Sequence, residues 1–272
     1  MNQEERLDYL IEELCKESRK NQHMKPRQAD KRMVLRALMN QRMPQKISEK
    51  YLQVQDDFLK QELAGQNITL EHEIPTLDKQ FGSKHRHANR MSLWKGDITR
   101  LKVDAIVNAA NSQMLGCFAP CHGCIDNAIH SAAGLQLREE CSRIMQAQGR
   151  PEPTGQAKLT GAYNLPAKYV LHTVGPIVYG QLTEEDCRML QACYDACMVL
   201  AEEHQLKTIA FCCISTGEFH FPNKRAAEIA VSTVSRHLDH AVHLERIIFN
   251  VFKDIDYQIY ENFLTSEYEI QY

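Results

Sequence analysis

Residues 103–134 read VDAIVNAANSQMLGCFAPCHGCIDNAIHSAAG, and the order of that stretch, an apolar run, a polar loop, then a helix-like segment, decides the fold class. Val103, Ala105, Ile106 and Val107 form a short, largely β-branched apolar run bounded by polar residues, which predicts a strand in the interior of a sheet. Asn108 and Asn111 fall where that strand ends. Three thiols and an imidazole follow, Cys117, Cys121, His122 and Cys124, and IDNAIHSAAG predicts a helix that stops at Gly134. A loop that leaves the carboxyl end of a strand and feeds a helix is where open α/β sheets bind ligands. The chemistry of the chain is therefore placed in this loop.

The same alternation recurs on both sides of it from Met91 onward. Strands are predicted at 92–95, 103–108, 157–163, 169–174, 208–213 and 247–251, and helices at 124–133, 135–148, 184–204, 224–237 and 255–263. Thr183 reads as the N-cap of the helix at 184, and Pro222 stands near the start of the helix at 224. Strands alternating with helices imply an α/β fold in three layers, α/β/α, with a central mixed sheet, over residues 89–272. Ahead of it, apolar residues recur at three- and four-residue spacing: Leu7, Leu10, Ile11 and Leu14, then Met33, Val34, Ala37 and Leu38 after Pro26, then Tyr51, Leu52, Phe58, Leu59 and Leu63 after Pro44. This predicts a helical N-terminal extension. With a patternless linker through Pro75, Gly82 and KHRHANR, it makes up residues 1–88. It groups no catalytic side chains, so its expected task is to pack on the main domain or cover part of its site.

A chain of 272 residues, 43% hydrophobic and 25% charged, has the make-up of a soluble globular protein and the length to bury a large core. Its formal net charge of -3 gives no basic footprint for nucleic acid. No apolar run approaches the roughly 18 residues of a membrane span, and the charged start MNQEERLDYL lacks the core of a signal peptide. Neither nucleic acid nor membrane is expected as a partner, and the expected compartment is cytoplasmic. In that reducing setting most of the ten cysteines are expected as free thiols. Cys193, Cys197, Cys212 and Cys213 lie in apolar runs and read as small buried hydrophobes. His85 and His87 read as solvated loop histidines.

Zinc favours thiolate and imidazole ligands in a tetrahedral shell, and a catalytic site keeps one position open. His122 and Cys124 alternate along the chain and can converge on one ion, with Cys117 returning from the start of the loop; this is the preferred set. A closed four-ligand site that adds Cys121, and a metal-free loop of buried thiols, stand beside it. A second loop, CISTGEFHFPNKRAAEIA at 213–230, runs from a strand through Ser215, Thr216 and Gly217 into a helix. Gly217 permits a tight path, and successive N–H groups in such a turn can form a nest for phosphates. The same residues also read as an ordinary capped connection. Asp97, in WKGDIT at 94–99, is placed either to accept from the amino group of a base or to cap its own turn.

GDIT at 96–99, VDAIVNAANS at 103–112, AIHSAAG at 128–134, HTVGP at 172–176 and STGEFHFP at 215–222 occur together in the order and spacing of the macrodomain family, ADP-ribose-binding α/β/α modules. Residues 90–272 resemble that family. GCFAPCHGCID stands where its hydrolase branch carries a glycine-rich first loop, and with the helical extension this resembles the zinc-containing subgroup of microbial protein-ADP-ribose hydrolases. The resemblance implies that Asp97 and Ile98 meet the adenine, that Phe252 stacks on it, and that Asn108 and Asn111 lie by the distal ribose. It implies that Ser215, Thr216, Gly217, Glu218 and Phe219 wrap the diphosphate, and that Cys117, His122 and Cys124 hold one zinc ion per chain. Asp126, with Asn111 beside it, is the implied catalytic group, orienting or activating water.

The activity implied is that of a zinc-dependent hydrolase, which removes mono-ADP-ribose from modified protein side chains by cleaving the bond at C1″ and releases ADP-ribose. The implied partners are ADP-ribose, a mono-ADP-ribosylated substrate of the lipoyl-carrying glycine-cleavage H type, and a sirtuin-type ADP-ribosyltransferase. The alternative is a reader that binds ADP-ribose without cleaving it, braced by a structural zinc. His220 stands where the second loop of the family frequently has glycine, which would narrow that loop, because His has less freedom at positive φ.

Overall fold

The computed structural model describes residues 1–17 and 31–265; Pro26 lies outside them. In chain order the helices are α1 (Gln3–Glu17), α2 (Lys31–Gln41), α3 (Glu49–Ala64), α4 (Leu77–Phe81), α5 (Ile125–Ala133), α6 (Leu135–Gln148), α7 (Glu184–Glu203), α8 (Asn223–Leu238) and α9 (Asp254–Thr265). The strands are β1 (Thr69–Leu70), β2 (Met91–Lys95), β3 (Leu101–Lys102), β4 (Ala105–Ala109), β5 (Ala157–Gly161), β6 (Tyr169–Thr173), β7 (Thr208–Phe211) and β8 (Arg246–Val251). From β2 onward, every strand and helix expected from the sequence forms, with ends displaced by at most two residues. β4 starts at Ala105 rather than Val103, and the Asp104 carboxylate is turned to accept the N–H groups of Lys207 and Thr208 at 2.7 and 3.1 Å.

The large sheet has the order β2-β8-β7-β4-β6-β5, parallel throughout except for β5, which runs antiparallel to β6. Helices α7, α8 and α9 cover one face, and α5 and α6 the other. Ala105, Ile106 and Val107 are fully buried, as a parallel strand covered on both faces must be. Thr183 caps α7 reciprocally: its hydroxyl accepts from the Asp186 N–H, and the Asp186 carboxylate accepts from the Thr183 N–H, two donors satisfied at a helix start that otherwise leaves them bare.

Helices α1, α2 and α3 close around their own apolar cluster, with Leu10, Leu14, Leu35, Leu38, Tyr51 and Phe58, and Leu135 of α6 completes it. The stretch read as a patternless linker holds more structure than its sequence suggests. β1 pairs with β3, and Ile74 and Leu77 enter the main core; elements of two to five residues are too short to display a period. His85 and His87 are correspondingly less solvated than expected. His87 lies 2.7 Å from the Asp239 carboxylate, and burial pushes the His85 pKa down.

All ten cysteines are free; Cys193, Cys197 and Cys212 are buried as anticipated and Cys213 is half-buried. Among the described residues no helix is long and apolar enough to cross a membrane.

Candidate active site

Four neighbouring parallel strands end side by side in the order β2, β8, β7, β4. Asp97 follows β2, Phe252 follows β8, Ser215–Phe219 follow β7, and Asn108 and Asn111 sit at the end of β4. The residues singled out in the sequence therefore line one edge of the sheet as a row, in the place where a parallel sheet exposes its ligand crevice.

At the β4 end, the Asn108 amide donates to Asp126 Oδ1 at 2.8 Å, and Asn111 donates to Asp126 Oδ2 at 3.3 Å and to the Gly116 carbonyl at 3.1 Å. Asp126 belongs to the first turn of α5, where the helix dipole favours a carboxylate, yet only 4% of it is exposed. Burial pushes its pKa up to about 6, against the pull of the Asn108 hydrogen bond and of Arg138.

The support behind these residues was not singled out in the sequence. Asn108 lies opposite His172 in the sheet register, with its amide nitrogen 3.1 Å from His172 Nδ1, and His172 Nε2 is 2.9 Å from Thr160 Oγ. An amide nitrogen only donates, so Nδ1 accepts and Nε2 carries the proton toward Thr160. The Thr160 hydroxyl passes on to the Gly161 carbonyl. Burial drives the His172 pKa down to about 3 and that of His130 well below its usual value. The Cys141 thiol, 3.9 Å from His172, rises to about 12. His130, Cys141 and His172 bring ligand-type atoms within 4.8 Å of one another; at neutral pH they form an uncharged polar layer behind Asp126. Their signal in the sequence is a histidine inside each of two apolar runs, AIHSAAG and VLHTV.

Between Asn111 and Asp126 runs the thiol and imidazole loop. Cys117, His122 and Cys124 place their ligand atoms within 4.8 Å of one another. The donor set suits zinc, and His122 Nδ1 is buried with no hydrogen-bond partner, so the residues fit such an ion. Burial pushes the Cys124 thiol up to about 12; the Cys117 thiol adds to the rise and the Asn127 N–H opposes it. A bound cation would reverse that balance by favouring thiolate. Cys121 turns away: its φ is 53°, its N–H donates to Asn40 Oδ1 at 2.9 Å, and its sulfur lies 3.3 Å from the Met33 carbonyl.

In the second loop the left-handed residues are Ser215 (φ 64°) and His220 (φ 56°), while Gly217 lies outside that region. His220 thus takes the conformation that glycine would take more easily. Gly175 is the residue the sequence reading missed here: a Cβ on it would lie 2.0 Å from Ser215 Oγ. The loop's own backbone bonds use the N–H groups of Thr216, His220 and Phe221. Among the described residues those of Gly217, Glu218 and Phe219 have no acceptor. Glu218 meets the first loop, 3.7 Å from His122 Nε2.

At the β2 end, Asp97 caps its own turn, accepting from the Thr99 N–H and hydroxyl at 3.0 and 2.7 Å through one oxygen. Its other oxygen is 3.6 Å from the Arg100 guanidinium. Ile98 is buried in the main core, so the side chain packs inward. Phe252 is 75% exposed and is not part of the core.

The Macro domain family model matches residues 107–230. A protein-ADP-ribose hydrolase of Treponema medium is 48% identical over 269 residues, covering 97% of this chain and 100% of that one. One of Staphylococcus aureus strain Mu50 is 43% identical, covering 97% of each. Among solved structures, a Trypanosoma brucei macrodomain in complex with ADP-ribose superposes with a TM-score of 0.65 at 28% identity, over 88% of this chain and 96% of that one.

Proposed function

The chain belongs to the Macro domain family, and from that premise we propose that it is a protein-ADP-ribose hydrolase, releasing ADP-ribose from mono-ADP-ribosylated protein side chains. Relatives that carry that activity in their names match over 97% of the chain. The observation that carries the reading is the buried Asp126 carboxylate, held by Asn108 and Asn111 at the end of the row, beside the Cys117, His122 and Cys124 cluster. A reader needs the row alone. It has no use for a carboxylate taken out of water and fixed by two amides.

In the reaction, water adds its oxygen to C1″ of the distal ribose as the bond from C1″ to the protein side chain breaks. Asp126 is placed to orient that water and take its proton, and the departing side chain regains one. Asn111 positions the ribose against Asp126. The unclaimed N–H groups of 217–219 receive the diphosphate with Ser215 and Thr216 framing the turn, Phe252 stacks on adenine, and Asp97 and Ile98 border it. Holding the substrate at several points along the row converts remote binding into orientation at C1″.

We assign Cys117, His122 and Cys124 as the ligands of one zinc ion per chain. When bound, zinc held by these three side chains would supply Lewis-acid chemistry. The donor chemistry and the orphaned His122 nitrogen support this assignment. The substrate we favour is a lipoyl-carrying protein of the glycine-cleavage H type modified by a sirtuin-type transferase, a choice that rests on the resemblance of the loop. The compartment we propose is the cytoplasm, a reading that ten free thiols support because they suit a reducing setting, and we assign residues 89–272 as the macrodomain, with 1–88 as its extension.

The test is turnover of a mono-ADP-ribosylated protein by Cys117→Ala, His122→Ala and Asp126→Ala, each checked for folding and metal content. We expect losses on the order of 10²- to 10⁴-fold for Asp126→Ala, and strong losses for the cysteine and histidine variants. Near-normal rates from folded variants would defeat the assignment.

A further inference from the structure

The loop at 116–124 has no helix or strand of its own, so something else must fix the three side chains that converge there. The fixing comes from α2, in the extension. The Arg36 guanidinium donates to Asn127 Oδ1 at 3.1 Å through Nε and 2.7 Å through Nη2, and Nη2 also donates to the His122 carbonyl at 3.2 Å. Asn127 is fully buried; its amide donates to the Ala119 carbonyl at 3.0 Å, and its backbone N–H lies 3.4 Å from Cys124 Sγ. One turn along α2, the buried Asn40 accepts the Cys121 N–H at 2.9 Å and donates to Ser131 of α5 at 2.9 Å.

Residues four apart share one face of a helix, so Arg36 and Asn40 present a single polar edge to the loop. The far end is fixed through Arg138, which donates to the Leu115 carbonyl at 2.6 Å and to the carbonyls of Met39, Asn40 and Arg42 at 2.7–2.9 Å. The loop is thereby held at Leu115, Ala119, Cys121 and His122, around the three candidate ligands.

We propose that Arg36 and Asn40 are positioning residues of the metal loop, and that the extension is a structural part of the active centre. Loss of an outer partner that orients a metal ligand typically costs about 10- to 100-fold in affinity. Arg36 acts on His122 through its carbonyl and on Cys124 through Asn127, without touching the ion. Without that hold, the loop would have to be ordered by the metal itself, and ordering consumes binding free energy. The inference rests on the zinc reading above.

The experiment compares the full chain with Arg36→Ala, Asn40→Ala and Arg36→Lys. It measures zinc affinity by competition with a chromogenic chelator, amide hydrogen exchange over 115–127, ADP-ribose affinity by calorimetry, and kcat and KM at fixed zinc. Expected are a 10- to 100-fold loss of zinc affinity in the two alanine variants and faster exchange confined to the loop. Binding of ADP-ribose should stay within about twofold, with the loss falling on kcat, and Arg36→Lys, which keeps one donor on the His122 carbonyl, should recover part of the affinity. Wild-type affinity and wild-type exchange in Arg36→Ala, or uniform loss of protection across the chain, would overturn the positioning role. A wild-type chain that takes up no zinc would instead overturn the metal assignment, a result the variants cannot mimic.

Discussion

Gly175 is demanded by contact rather than by backbone conformation. A methyl group there would stand 2.0 Å from Ser215 Oγ and 2.9 Å from Ile214 Cγ2, so Gly175→Ala must turn the Ser215 side chain and press on Ile214, and we expect the second loop to shift. Overpacking of this kind costs about 1–3 kcal/mol. Because Ser215 already sits at φ 64°, we expect displacement there to fall on the turn that we propose receives the diphosphate. Thermal melting and ADP-ribose calorimetry on Gly175→Ala should show both a lower melting temperature and weaker binding; unchanged affinity would mean that the turn does not depend on this contact. HTVGP was conspicuous in the sequence as a motif, but the reason for its glycine was not legible, since the partner lies forty residues downstream in another loop. The two asparagines were legible because the strand that delivers them is local, whereas Asp126, in the first turn of α5, was reached through the resemblance of its loop.

The strand β6 carries a histidine into the buried interior, and its environment gives the fold a pH dependence. His172 is fully buried and its pKa falls to about 3, by desolvation. In the unfolded chain it titrates near 6.5. The unfolded state therefore binds the proton and the folded state does not, so stability is fully present above pH 6.5 and is lost as pH falls toward the folded value. One such group removes about 2 kcal/mol between pH 6.5 and pH 5. His130, held neutral in the same way, adds a loss of the same sign. Asp126, raised to about 6 by burial, works in the opposite direction below that pH. The clean measurement is thus a difference: denaturant unfolding of wild type and His172→Gln at pH 5, 6, 7 and 8. The variant should lose less stability on acidification, and an equal slope in both proteins would show that His172 does not carry the effect.

Elements of this size were readable from the sequence because β2, and each strand and helix from β4 onward, is long enough to display its period, as the two residues of β3 are not. Those between Thr69 and Phe81 were not, since a two-residue strand and a five-residue helix carry no pattern.

Over the whole molecule, two regions with separate supports meet at one crevice. The Ser215–Phe219 turn and the β2 and β8 ends hang from the sheet, while the thiol and imidazole loop hangs from α2 and Arg138. That second dependence was invisible in the sequence: it runs through side-chain to backbone bonds such as Arg138 to the Asn40 carbonyl, spanning 98 residues, and no periodicity records them. The separation makes chelation an informative test of the proposed zinc. A chelated chain retains the sheet, the Ser215–Phe219 turn, Asp97 and Phe252, and the loop remains tethered at Leu115 and Cys121 by groups that do not involve the ligand atoms. We therefore expect chelation to abolish most hydrolysis while ADP-ribose affinity falls by less than about tenfold, with turnover restored by stoichiometric zinc. Full turnover after verified metal removal would make Asp126 and the asparagines sufficient by themselves. Loss of ADP-ribose binding together with turnover would mean that the two supports are not independent, and that the metal loop shapes the whole crevice rather than its distal-ribose end.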